Sequence, residues 1–79
     1  MRKAHYLRKE FGYKTARELS DVLFYEYNCV IGPRTLNAYE RGNKEINPTI
    51  EKKLAELYRT NVEEIRQEDD VDWKKRVVI

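Results

Sequence analysis

The sequence predicts an all-α domain of five short helices, and three observations carry that prediction. Apolar residues recur at three- and four-residue steps rather than alternately, which is the spacing of a helix face. Residues that start helices (Thr15, Pro33, Pro48, Asn61) and residues that stop them (Gly12, Gly42) punctuate the chain at intervals suited to short helices. The third observation is Cys29, the single cysteine, which rules out an intrachain disulfide or a Cys-rich zinc site. With 79 residues, 41% hydrophobic and 38% charged, there is material for one compact core. Helix packing therefore has to hold it, over residues 1–66, with residues 67–79 as a C-terminal tail.

Helix one is expected from Lys3 to Phe11, where Ala4, Leu7 and Phe11 share a face and Gly12 offers a left-handed stop. Helix two begins at Thr15-Ala16-Arg17-Glu18, a capping box in which hydroxyl and carboxylate each satisfy a free backbone N–H. Ala16, Leu19, Ser20, Leu23 and Tyr27 fall on one face, and the helix is expected to end near Tyr25. Asn28 to Gly32 break the pattern. Pro33, which has no N–H to lose, opens helix three, running to Arg41 and ended by Gly42. A polar loop, Asn43 to Asn47, leads to Pro48-Thr49 and a fourth helix with an Ile50, Leu54, Leu57, Tyr58 stripe. Asn61 caps a short fifth helix with Val62 and Ile65 inward. The tail carries an acidic run (Glu68, Asp69, Asp70, Asp72), then Trp73, a basic triplet (Lys74, Lys75, Arg76) and an apolar end.

The net charge of +2 says little about partners. Its distribution says more: residues 1–44 hold nine Lys/Arg against five Asp/Glu, and residues 45–79 seven against nine. A basic front half and an acidic back half suit a domain that turns one face to a polyanion. No apolar stretch approaches the ~20 residues that cross a bilayer, and Met1-Arg2-Lys3 leads into a charged helix, so a soluble, cytoplasmic protein without a membrane partner is expected. Catalysis has no support: His5 stands alone as a surface residue without a metal-ligand partner, Gly-rich phosphate loops are absent, and the acidic run reads as a solvated connector. No cofactor, metal or small-molecule ligand is expected. Cys29, beside an apolar pair, reads as a half-buried thiol.

Helices two and three carry the chemistry. A capped helix, a turn and a second helix is the arrangement in which the first helix braces on the phosphate backbone and the second enters the major groove of DNA. On the outer side of helix three lie Arg34, Thr35, Asn37 and Ala38, with Leu36 and Tyr39 turned to the core. Arg34 can offer a two-pronged donor to guanine and Asn37 can pair with adenine, while Ala38 or the Thr35 methyl can touch a thymine methyl. Lys14, Thr15, Arg17, Arg41 and Lys44, with Arg2 and Lys3, are candidates for phosphate contacts; solvated charge is the alternative reading for each.

The order of these motifs resembles the Cro/CI-type (XRE) helix-turn-helix family over residues 4–65. The resemblance rests on Leu7-Arg8, Gly12, Leu19, Thr35-Leu36-Asn37-Ala38-Tyr39-Glu40-Arg41-Gly42, Pro48, and Leu54-Ala55-Glu56-Leu57-Tyr58 with Val62 to Ile65. It implies a lambda-repressor-like five-helix fold, an Arg8–Glu40 pair between helices one and three, and a phage or bacterial repressor that dimerises on an inverted-repeat operator. Two features depart from the family. Ala16 stands where the family often has Gln, and about six extra residues, Phe24 to Cys29, separate Leu23 from Val30, leaving the tilt of helix three open. Some temperate-phage repressors look similar in this lengthening. The competing class is a protein-interaction module on the same fold, such as an antirepressor or an antitoxin. The apolar tail is expected to cover the core or to form a dimer contact.

Overall fold

A computed structural model describes residues 1–68, and the expectations for Trp73, the basic triplet and the apolar terminus lie outside them. Five helices follow in order: α1 (Lys3–Glu10), α2 (Ala16–Tyr27), α3 (Pro33–Glu40), α4 (Pro48–Leu57) and α5 (Val62–Arg66). Among the described residues there is no strand, only an isolated antiparallel bridge between Arg2 and Glu68. None of the described helices is long and apolar enough to cross a membrane.

The starts of α2, α4 and α5 follow directly from side-chain chemistry. Thr15, Asn47 and Asn61 each accept a hydrogen bond from a backbone N–H of the first turn, those of Glu18, Thr49 and Glu64. The Glu18 carboxylate reaches back to accept from the Lys14 N–H at 2.8 Å, one residue before the cap rather than at the Thr15 N–H of a full capping box. Three-residue spacing alone did not reveal Asn47, which stands before a proline and reads as loop. At the end of α3, Gly42 adopts φ +82 and its N–H donates to the Tyr39 carbonyl. A Cβ there would meet only the flexible end of the Glu68 side chain, so it is the positive φ that calls for glycine.

Leu19, Leu23, Leu36, Tyr39, Leu54 and Ile65 are essentially inaccessible and form the centre of the core. Burying each such aliphatic side chain contributes about 1.5–3 kcal/mol before entropy is counted. α2 packs chiefly on α3, α4 on α5, and α1 joins the two pairs by packing on both α3 and α5. The N-terminal strap reinforces that join: the Arg2 N–H donates to the Glu40 carbonyl and the Lys3 N–H to the Gln67 carbonyl.

Several details differ from the sequence expectation. α1 ends at Glu10, and Phe11 caps it with its ring half out of the core, tilted against Tyr58 at 5.6 Å. α2 runs two residues beyond Tyr25, so most of the extra segment is one more helical turn. Asn28 ends it in the left-handed conformation (φ 58), which a short polar side chain tolerates. Tyr27, expected inward, lies on the exposed side of that added turn. Cys29 is buried, its Sγ 3.4 Å from the Tyr27 carbonyl.

Candidate nucleic-acid interface

α3 is two-sided. Leu36, Tyr39 and Glu40 are buried, whereas Arg34 and Asn37 are exposed and Thr35 and Ala38 are half-buried. The sequence spaces the apolar residues three apart, so the outer residues project together from the opposite side of a helix only eight residues long. Gly32, the N-cap, has no side chain to satisfy the first backbone N–H groups, and Pro33 contributes none, so the helix starts with open donors. Lys14, Arg17, Arg34, Arg41 and Lys44 are all exposed, and none makes an ion pair among the described residues. The Thr15 hydroxyl accepts from Glu18, which leaves its O–H free to donate outward.

The inner side of α3 is anchored by charge. Arg8 Nε donates to both Glu40 carboxylate oxygens, at 2.9 and 3.2 Å, and Arg8 Nη1 donates to the Tyr13 carbonyl. Both side chains are at least 96% covered, so the pair sits between α1 and α3 away from water. His5 Nδ1 lies 3.0 Å from Glu40 Oε1, which corrects the reading of His5 as a surface residue: it is the third member of this cluster. Arg2, a candidate for phosphate contact, is corrected likewise. Arg2 is buried, its guanidinium 4.5 Å above the Tyr39 ring and bonded to Glu45, and Lys3 pairs with Glu64. Arg2 is thus withdrawn from solvent, whereas the Lys3 side chain remains partly exposed beside Glu64.

A second anchor was not evident from the sequence. The Tyr39 hydroxyl donates to Glu51 Oε2 at 2.7 Å, and Arg66 grips the same carboxylate with two bonds of 2.6 Å. The Arg66 hydrogen bonds hold the Glu51 carboxyl below its ordinary range despite burial, and the same contacts raise Arg66. Burial, with help from Glu51, pushes the Tyr39 hydroxyl up. One signal does point to Glu51: it precedes Leu54, Ala55 and Tyr58 by three, four and seven positions, on the buried stripe of α4. Its partner is fifteen residues away on another helix, so no local pattern names it.

Comparison of the chain with protein-family models, with curated proteins and with solved structures returns no match. Among the described residues there is also no group of three or more His, Cys, Asp or Glu arranged to hold a metal ion.

Proposed function

We propose that this chain is a sequence-specific double-stranded DNA-binding regulator of the Cro/CI type, reading the major groove with α3. In this reading Arg34, Thr35, Asn37 and Ala38 meet base edges, and Lys14, Thr15, Arg17, Arg41 and Lys44 meet phosphates. The observation that carries the proposal is the division of cations. Arg2, Lys3, Arg8 and Arg66 are engaged in ion pairs, whereas Lys14, Arg17, Arg34, Arg41 and Lys44, on α2, α3 and their flanking loops, are exposed and unpaired among the described residues; the other such cations, Lys9, Lys52 and Arg59, are scattered over α1, α4 and the turn after it. Unpaired cations on short, rigidly braced elements are what a polyanion with a regular groove requires. Because α3 has only eight residues, one copy reads a short half-site, and a homodimer on an inverted repeat, with half-sites ~34 Å apart, is the geometry proposed for full affinity.

The test is selection of bound sequences from a random duplex pool, followed by binding to the selected site as salt is varied. DNA binding through these cations requires log K to fall with log salt at roughly −0.9 per phosphate neutralised. A selected pool without a consensus, or a nearly flat salt response, rejects the reading and favours the protein-interaction module.

A further inference from the structure

The added turn of α2 makes a knob. The Cys29 N–H donates back to the Leu23 carbonyl at 2.9 Å, and the Ser20 hydroxyl donates to the Ile31 carbonyl at 2.6 Å. The chain therefore doubles back along α2, and Phe24 to Tyr27 stand beyond the return. There Phe24 is 50% exposed, Tyr25 80% and Val30 78%, with the Phe24 and Tyr25 rings edge to face at 5.0 Å. Large apolar side chains grouped in this way on a small domain mark an interaction surface. From Glu18 to Pro33 the chain has no Lys or Arg but carries Glu18, Asp21 and Glu26. An acidic aromatic knob repels a phosphate backbone, so DNA is not its partner.

The same molecule carries a surface that fits it. A groove of about 450 Å³ runs beside α4 and α5, lined by Pro48, Ala55 and Val62 together with the exposed cations Lys52 and Arg66. Its volume lies within the ~300–1,000 Å³ that holds a drug-sized group, enough for an aromatic pair. Lys52 makes no ion pair among the described residues, and the acids in the lining are answered nearby, Glu51 by Arg66 and Glu56 by Lys53. Lys52 is therefore the charge left to meet an acidic partner. The knob belongs to the α2–α3 pair and the groove to the α4–α5 pair, so the two surfaces sit on different helix pairs. Contact between two knobs would bring together two segments that carry Asp21 and Glu26 and no Lys or Arg, a like-charge arrangement that disfavours that symmetric alternative.

We infer that the Phe24–Tyr25 knob of one copy docks in the α4–α5 groove of a second copy, with Asp21, three and four positions before those rings on the same helix face, turned to Lys52. Such a contact can close reciprocally as a dimer, close as a ring, or continue as an open chain. It does not depend on DNA, and a failure of DNA binding leaves it untouched.

Sedimentation of the full chain without DNA tests it. Wild type should self-associate, to a dimer or beyond, as concentration rises. Phe24→Ser/Tyr25→Ser and, separately, Lys52→Glu, all at exposed positions, should each weaken self-association about tenfold or more, the loss expected when an anchor is removed. The decisive arm mixes the two variants: one intact knob then meets one intact groove, and the mass should stop at a one-to-one dimer. A wild type that stays monomeric, a Lys52→Glu chain that associates like wild type, or a mixture that forms no dimer overturns the inference. Unchanged melting of each variant shows that the loss is not unfolding.

Discussion

The two sides of α3 treat charge in opposite ways. On the inner side Glu40 is buried against Arg8 and His5, and the Tyr39 hydroxyl reaches Glu51, itself clamped by Arg66. On the outer side Arg34 and Asn37 reach no protein partner among the described residues. An unpaired charge inside a protein costs several kcal/mol, so each interior charge has found a partner; in water the same charge costs almost nothing and remains available. The difference teaches that the inner charges hold the helix in place, and that the outer ones are free to meet another molecule.

If this division is right, the largest loss of stability should come from Glu40→Ala. It strands Arg8 inside the α1–α3 contact, and removing one member of a buried pair costs about 3–5 kcal/mol. A denaturant midpoint equal to that of wild type would break the comparison on its inner side.

Glu51→Gln should cost less, on the order of 2 kcal/mol, because Arg66 is half-exposed and water screens part of the pair. It should also change the response to acid. The folded Glu51 carboxyl lies below its unfolded value, so its contribution is fully present above the ordinary glutamate range and is lost as pH falls through the folded value. Wild type should thus lose stability on acidification more steeply than Glu51→Gln, and parallel melting-against-pH curves would count against the clamp.

On the outer side, Arg34→Ala should leave the melting temperature unchanged while weakening binding to a selected DNA site by about 1–3 kcal/mol and relaxing one base position. Lys44→Ala should instead weaken all sequences alike and reduce the salt slope by about one phosphate. Equal loss of stability in Arg34→Ala would place Arg34 among the structural residues.

The smallest effect sharpens the rule from the other direction. The Tyr58 hydroxyl is buried and has no hydrogen-bond partner among the described residues, and burial pushes its titration up. Removing an unsatisfied polar atom while keeping the ring should be neutral or stabilising, by up to about 1 kcal/mol, so Tyr58→Phe is expected to melt no lower than wild type.

The sequence by itself determined the five helices, their caps at Thr15 and Asn61, the stop at Gly42 and the two-sidedness of α3. These arise from interactions within three or four residues, where periodicity and capping act. Only the tertiary structure decided which charges stay free. Arg2, Lys3 and Arg66 look no different from Arg17 or Lys44 along the chain, yet their partners lie 43, 61 and 15 positions away. Tertiary structure also turned the extra segment after Leu23 into a helical turn that stands clear of the core, because the Asn28 bend and the Ser20 hydroxyl bring Ile31 back along α2. Local propensity can start and stop a helix, but the pairing of distant charges is settled only when packing removes water from between them.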